Sequence, residues 1–205
     1  MVKARYHIAV MYSHVLVIDW YDNEHAPLRL TVKGFHNALR YQAIDNLEPR
    51  WLALYDLDNP EIMTSDEYKS LSHKASEREG SLVAKLKMLN RRVYSLVSKY
   101  GNSEDLGLPS KYVLAESSDD EELRAEESIN LISKVPGWIQ SRRYKLVVAV
   151  ELAGQADKHA AITPATFINV HYFDRPFDKP LSEGATREDI RMFALYKDLG
   201  KPIWK

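Results

Sequence analysis

The chain contains no cysteine among its 205 residues, which excludes disulfide bonds and thiolate metal sites. It also lacks an excess of charge of either sign, because 28 lysines and arginines stand against 29 acidic residues. Without a positive field, binding to nucleic acid through phosphate neutralisation is not expected. This composition favours a small molecule or another protein as the partner.

Long apolar runs are missing as well. The basic N-terminal residues are followed by short apolar runs, which His7, Tyr12 and His14 interrupt. We therefore predict neither a signal peptide nor a membrane span, and the lack of cysteine suits a cytoplasmic protein. The sequence also has no Gly-rich phosphate loop, no Gly-x-Ser-x-Gly motif and no histidines at metal-ligand spacing. We expect neither a metal nor another cofactor.

The apolar residues that are present, 45% of the chain, are enough to build a large core. Their spacing predicts strands and helices in the order strand, helix, strand, strand, helix, strand, which is that of a ferredoxin-like unit. The predicted segments are Ala4–Met11, a helix from Ser13 to the His25 region, Asn37–Ala43, Trp51–Leu57, a helical segment from Thr64 to Lys87 broken at Gly80, and Arg92–Val97.

The second half of the chain repeats parts of the first. Gly34–Tyr41 aligns with Gly137–Tyr144 at an offset of 103 residues, and the glycine, the arginine and the tyrosine of that segment are identical. Trp51–Asp58 aligns with Phe167–Asp174 at an offset of 116 residues. A longer hairpin loop in the second half explains the larger offset.

The sequence therefore predicts an α+β fold of two tandem ferredoxin-like repeats, whose antiparallel sheets pack into one intramolecular dimeric α/β barrel. The predicted repeats are 1–100 and 110–205, with a linker at 101–109 and a second-half helix reduced to Ser182–Asp189. The acidic run that begins at Ser117 is interpreted as a helix start. Spare sheet edges and Trp204 make a homodimer plausible.

The stretch Asp19–Leu28 carries the most chemistry. Helical spacing places Tyr21 and His25 one turn apart on one face, and Pro27 is predicted to kink or end the helix beside them. With an ordinary pKa of about 6.5, His25 could act as a general acid or base near neutral pH. The alternative is that His25 only caps or packs the helix end.

Further aromatic and histidine side chains are predicted to join the candidate site. Tyr21 and Tyr41 could donate hydrogen bonds to a substrate carbonyl, while Trp51 and Tyr55 could form an aromatic wall or belong to the ordinary core. His171 replaces Tyr55 at the aligned strand position, either as a second cavity wall or as a satisfied buried histidine.

Two arginines repeat in both halves and are interpreted as architecture. Arg40 is expected to pair with Glu24, and Arg143 with Glu127, because a buried guanidinium needs a counter-charge.

The residues Trp20–Leu28, Gly34-Phe35, Arg40-Tyr41 and Trp51–Tyr55 together resemble the EthD-like branch of the dimeric α/β-barrel superfamily, in particular its fungal tandem-repeat members. That superfamily includes cofactor-free cyclases and dehydratases, metal-free monooxygenases, haem-handling proteins and proteins without a known role. The second half has Ser128 at the position of His25, so the resemblance implies one histidine site, in the first half.

The leading hypothesis is a cofactor-independent lyase, dehydratase or cyclase that acts on a hydrophobic, oxygenated small molecule of polyketide or terpenoid type. His25 would move the proton, with Tyr21 or Tyr41 polarising a carbonyl. The substrate contacts would be Trp20, Trp51, Tyr55 and His171. The alternatives are a pericyclic cyclase that works by positioning, a non-catalytic ligand-binding or stress-response protein, and a haem-handling protein.

Overall fold

Eight antiparallel strands form a closed barrel in the computed structural model. The structure describes residues 6–12, 18–86, 89–101, 109–119, 123–153, 164–176 and 190–200. The strands are β1 (Tyr6–Tyr12), β2 (Leu39–Ala43), β3 (Trp51–Leu57), β4 (Leu89–Tyr100), β5 (Tyr112–Ser118), β6 (Trp138–Ala153), β7 (Phe167–Phe173) and β8 (Ile190–Asp198). The predicted α+β class and the closed barrel are confirmed.

The strands follow the order β1-β3-β2-β8-β5-β7-β6-β4 around the barrel. Within each half of the chain, the fourth, first, third and second strands are neighbours in that order. The halves meet at two seams, where β2 pairs with β8 and β4 pairs with β6. Since each described strand has two neighbours, the spare edges from which a homodimer was predicted do not exist among them. Trp204, the other basis for that prediction, lies outside the described residues.

Local geometry supports the alignment of the two halves. Gly34 and Gly137 both have a left-handed backbone, with φ of 99° and 90°. The carbonyl of Gly34 accepts a hydrogen bond from the Asp58 N–H at 3.0 Å, and Gly137 accepts one from Asp174 at 2.9 Å. A Cβ at Gly34 would lie 2.3 Å from a methyl of Ile62, so this turn needs glycine.

The first helix continues through its proline. It consists of α1 (Ile18–Trp20), a π-helical segment (Tyr21–His25) and α2 (Ala26–Arg29). Pro27 was predicted to kink or end the helix; it does not end the helix near His25, and the helix is instead distorted locally into the π-helical segment. Proline has no N–H, and its ring crowds the carbonyl four residues earlier. The wider turn relieves that conflict, with the Ala26 N–H bonding to the Tyr21 carbonyl five residues back.

A series of short helices follows β3. A 3₁₀ helix (Pro60–Thr64) leads into α3 (Asp66–Lys69), α4 (Leu71–Lys74) and α5 (Glu77–Val83), and the second half contributes α6 (Leu123–Ile132). Helix α3 begins where the helical segment was predicted to begin, because the Ser65 hydroxyl accepts the Tyr68 N–H at 3.1 Å. Its break lies at Ala75 and Ser76, where the backbone is extended, and not at Gly80, which lies inside α5.

Two further predictions concern the second half. Ser117 and Ser118 belong to β5, whereas α6 begins at Leu123, directly after the acidic run, so the helix starts a few residues later than Ser117. The predicted helix Ser182–Asp189 lies outside the described residues, as do residues 102–108 of the predicted linker. No helix within the described ranges is long and apolar enough to cross a membrane.

The wall of the barrel separates the interior apolar core from an outer core under the first helix, and a smaller cluster that includes Leu114 and Phe173 lies on the second half. On β3, Trp51, Tyr55 and Leu57 face outward to the first helix, whereas Leu52 and Leu54 face the barrel interior. All seven residues of this strand are buried, as its nearly continuous apolar sequence predicted. The outer core belongs to the first half alone, while the interior core draws on both halves.

Candidate functional site

A cavity lies between the first helix, the outer face of the sheet and the short helices after β3. Its volume of about 40 Å³ is room for roughly three water molecules. We call it the first-half cavity, and it is lined by Val10, Tyr21, His25, Arg29, Phe35, Tyr55, Tyr68, Leu89 and Arg91.

The first helix brings the predicted aromatic residues and the histidine together. The Tyr21 and His25 rings lie 4.8 Å apart between centroids, which confirms their shared face. Trp20 is fully buried and packs against the His25 ring at 4.5 Å, but it does not line the cavity. Trp20 therefore supports the histidine from behind.

The two phenols of the cavity are joined to each other. The hydroxyls of Tyr21 and Tyr55 lie 2.9 Å apart, within hydrogen-bond distance. Burial raises the pKa of Tyr21 to about 12, although the hydrogen bond with Tyr55 acts in the opposite direction. Tyr21 is therefore a neutral phenol near pH 7, suited to donating a hydrogen bond rather than to accepting a proton.

His25 is a neutral imidazole held by a carboxylate. Its Nδ1 lies 3.3 Å from Oε1 of Glu79. Burial lowers the pKa of His25 to about 4, against the upward effect of Glu79. Burial by itself would raise the pKa of Glu79, but the hydrogen bond with His25 and the nearby charges hold it below its usual value. An ionised Glu79 accepts the Nδ1 proton, which leaves the lone pair on Nε2.

Three functional candidates escaped the sequence reasoning. Glu79 lies on the polar helix α5, more than fifty residues from His25, with no pattern that connects them. Arg91 donates from Nη1 to the Tyr68 hydroxyl at 2.9 Å, and its guanidinium carbon lies 5.8 Å from the centre of that ring. The predicted fourth strand began one residue after Arg91. A more careful strand boundary would have placed Arg91 on the outer face.

Tyr41 lies on the opposite side of the barrel wall. It is fully buried in the interior core beside Tyr144 and Tyr172, and burial raises its pKa far above the usual range. The prediction that Tyr41 shares a site with Tyr21 and His25 is therefore wrong. Side chains alternate along β2, so the outward position of Arg40 sends Tyr41 inward. The void in this interior measures about 10 Å³, space for about one water molecule.

Trp51 belongs to a structural layer beside the cavity. The Arg40 guanidinium lies 4.9 Å from its ring centre, and the Tyr196 ring packs at 5.1 Å. Arg40 forms its ion pair with the buried Asp22. The predicted partner Glu24 is instead bonded at the surface to Ser76 and Arg78.

His171 lies in the second half and does not line the first-half cavity. It is fully buried, with Nδ1 2.7 Å from the Ser141 hydroxyl and Nε2 3.6 Å from Oε2 of Glu116. Glu116 also accepts from Ser128, which aligns with His25, at 2.6 Å. Of the two interpretations, this geometry favours the buried histidine, which is hydrogen-bonded through Nδ1 and has Glu116 within ion-pair distance of Nε2.

The second predicted arginine pair is also not observed. Glu127 is exposed on α6, whereas Arg143 is buried and donates to Asn169 at 3.3 Å. Within the described parts of the chain, no group of three or more histidine or acidic side chains is placed to hold a metal ion.

Comparison with known proteins identifies the fold. The sequence matches no protein-family model and no curated protein. Among solved structures, an anthrone oxidase-like protein aligns at a TM-score of 0.58 and 10% identity, covering 98% of this chain and 96% of its own. A proposed monooxygenase from Fusobacterium nucleatum aligns at a TM-score of 0.47 and 5% identity. That alignment covers 97% of this chain and 95% of the other. Another proposed monooxygenase, from Lactobacillus acidophilus NCFM, aligns at a TM-score of 0.41 and 8% identity. That alignment covers 97% of this chain and 98% of the other. The chain thus has the fold of the dimeric α/β-barrel proteins.

Proposed function

We propose that this chain is a cofactor-independent enzyme which moves a proton on a hydrophobic, oxygenated small molecule, as a lyase, dehydratase or cyclase. The observation that carries the proposal is the arrangement in the first-half cavity, where a neutral His25, held by Glu79, lies beside the joined phenols of Tyr21 and Tyr55. A base next to hydrogen-bond donors is what carbon acid chemistry requires.

The reaction begins at a carbon next to a carbonyl group of the substrate. His25 takes the proton through Nε2, the C–H bond breaks, and its electron pair moves into the carbonyl to form an enolate. One phenol of the Tyr21–Tyr55 pair donates its proton to its partner, and the other phenol donates to the enolate oxygen. The enolate then closes a ring by attacking a second carbonyl carbon, whose oxygen receives the electron pair and the proton from His25, or it expels a β-hydroxyl group. In the second case that group leaves as water with the proton from His25.

Glu79 has a defined part in this reaction. When His25 accepts a proton it becomes a cation in a largely buried position, and the carboxylate at its Nδ1 stabilises that cation. The same hydrogen bond holds the ring in the tautomer with a basic Nε2. Glu79 is therefore a positioning and electrostatic group, while His25 is the catalytic base.

A polycyclic substrate is larger than the first-half cavity. Helix α5, which covers the cavity, must therefore move to admit it. Helix α5 contributes no buried residue, and polar contacts attach it to the first helix. These contacts are Glu79 to His25, and Arg78 to both Asp19 and Glu24. The apolar side chains Leu82 and Val83 of this helix pack against the outer core but stay partly exposed, so opening this segment costs less free energy than displacing a buried helix would.

The wider assignment is part of the same proposal. We infer that the halves are tandem ferredoxin-like repeats of the EthD-like branch, which is supported by the strand order common to both halves and by the matching turns at Gly34 and Gly137. A cytoplasmic location and specialised metabolism as the setting belong to the proposal too.

Deuterium incorporation tests the proton transfer without knowledge of the product. The purified chain is incubated in D₂O with enolisable aryl ketones, anthrone among them, and mass spectrometry follows exchange at the acidic C–H group, which lies next to the carbonyl in simple ketones and is the ring methylene in anthrone. Anthrone is included because it is a hydrophobic ketone that enolises. Wild-type protein should accelerate exchange, and His25→Gln should slow it by roughly a hundredfold or more. His36→Gln, which alters a surface histidine, is the matched control.

Absence of catalysed exchange across the panel, or equal rates in wild-type protein and His25→Gln, would reject this function. The small volume of the cavity favours a second candidate, a non-catalytic barrel that binds a compact ligand. That candidate predicts ligand binding without exchange, so the same panel separates the two.

A further inference from the structure

We propose that the ligand of the first-half cavity carries a carboxylate, which Arg91 and Tyr68 bind. This proposal rests on the proposed function, since it names a group on the substrate of the same site, but its test requires no turnover.

The charge of the cavity wall is the first reason. The lining includes two arginines, Arg29 and Arg91, and no acidic residue. Nη2 of Arg29 lies 3.9 Å from a carboxylate oxygen of Glu79, which supplies its counter-charge. Among the described residues, no carboxylate lies within ion-pair distance of Arg91. The cavity therefore presents a cation whose counter-ion is missing from the described protein.

The geometry of the donors is the second reason. Arg91 donates one N–H to the Tyr68 oxygen, at 2.9 Å, and a guanidinium has four further N–H groups. Tyr68 accepts in that bond, so its own hydroxyl proton is left for another acceptor. The Tyr68 ring is stacked on Phe35, with centroids 6.0 Å apart and planes 2° apart, which fixes its position. Adjacent N–H and O–H donors suit the two oxygens of a carboxylate.

The position relative to His25 is the third reason. The charges of Arg29 and Arg91 both act to lower the pKa of His25. A bound carboxylate would neutralise Arg91 and raise the pKa of the imidazole, whose remaining charged neighbours, Arg29 and Glu79, form an ion pair with each other. The histidine then becomes a stronger base only when the ligand is in place, which links recognition of the acid group to the proton transfer.

Acetate and acetamide provide a matched pair of probes. Each has four non-hydrogen atoms, a size close to the free volume of the cavity, and they differ in charge. NMR titration of the full chain, monitored at the amides and at the His25 ring, gives both dissociation constants. We expect acetate to bind about tenfold more tightly than acetamide, and to raise the pKa of His25.

Variants then assign the preference to Arg91. Arg91→Gln should reduce the difference in affinity between acetate and acetamide to about twofold or less. It should also abolish the rise in the pKa of His25 that acetate causes. Arg91→Lys retains the charge and should keep part of the preference. Arg175→Gln, on an exposed arginine away from the cavity, should behave as wild type. Thermal unfolding of each variant confirms that it is folded.

Equal responses to acetate and acetamide, including no response to either, would overturn the carboxylate site. So would a preference that survives in Arg91→Gln. The outcome is separable from the proposed function. If acetate is preferred but His25→Gln retains ketone exchange, the anion site stands and the proton transfer fails. If the probes behave alike while His25→Gln abolishes exchange, the anion site alone fails.

Discussion

Tyr21 and Tyr55 join the first helix to strand β3 through hydroxyl groups 2.9 Å apart, and both line the first-half cavity. The substitution Tyr55→Phe removes one hydroxyl group from this pair. The buried Tyr21 hydroxyl then loses its hydrogen bond with Tyr55. We expect ketone exchange to slow by roughly tenfold to a hundredfold, and the free energy of unfolding to fall by about 1–2 kcal/mol. Exchange rates and urea unfolding measure the two effects.

Tyr196→Phe is the matched control for that prediction, because it makes the same chemical change on an exposed tyrosine of β8. An exchange rate in Tyr55→Phe equal to that of the control would show that the phenol pair has no part in the reaction.

The depressed pKa of His25 predicts a dependence of stability on pH. The folded protein holds the group at a pKa of about 4, against an ordinary value of 6.5. Between these values the unfolded chain binds more protons, so the stabilisation is fully present above pH 6.5 and is lost as the pH falls to about 4. Its size is up to about 3 kcal/mol. Urea unfolding at several pH values should show that the free energy of unfolding depends less steeply on pH in His25→Gln than in wild type.

His171 contributes to the same trend, because its burial also lowers its pKa. The difference between the pH dependences of wild type and His25→Gln gives the contribution of His25 alone, because both proteins contain His171. Equal slopes of unfolding free energy against pH in the two proteins would contradict the assignment of a neutral His25.

The ion pair of Asp22 and Arg40 predicts a large loss of stability. Asp22→Ala leaves a fully buried guanidinium without its carboxylate, which costs about 3–5 kcal/mol. Glu24→Ala, the change at the partner expected from sequence, should cost less than about 1 kcal/mol, because its contacts are at the surface. Thermal or urea unfolding distinguishes them. Similar losses in both variants would contradict the observed pairing.

His171→Gln tests whether the second half contributes to the site. The side chain lies outside the first-half cavity, so exchange of ketones should continue at the wild-type rate. Ser141 and Glu116 lose a buried partner, and the free energy of unfolding should fall by about 1–3 kcal/mol. A loss of exchange in a variant that is fully folded would return His171 to the substrate-binding residues.

Local patterns predicted the elements better than the site. The apolar run of β3 and the alignment of Gly34 with Gly137 depend on neighbouring residues, so both could be found in the sequence. The shared face of Tyr21 and His25 also follows from local spacing. Glu79, Tyr68 and Arg91 come from distant segments, and only the packing of the short helices on the sheet brings them to His25.

The errors have local causes too. Tyr41 was assigned to the site although Arg40, its neighbour, was already placed on the other face of the strand. Of the two effects predicted for Pro27, a kink or a helix end, the helix end is not observed, because a π-helical turn accommodates the residue. The Arg40 partner was misassigned because Asp22 and Glu24 are equally near in sequence, and only the helix geometry decides between them.

The two seams of the barrel have a consequence for the chain as a folding unit. All of β2 pairs with β8, and β4 pairs with β6 along most of its length, so a chain cut between Gly101 and Pro109 would leave four strand edges open. Each fragment would also expose the apolar face that fills the interior. The separated fragments should therefore reassemble by complementation when mixed, and a variant with exchanged halves from a related barrel would succeed only if both seams matched.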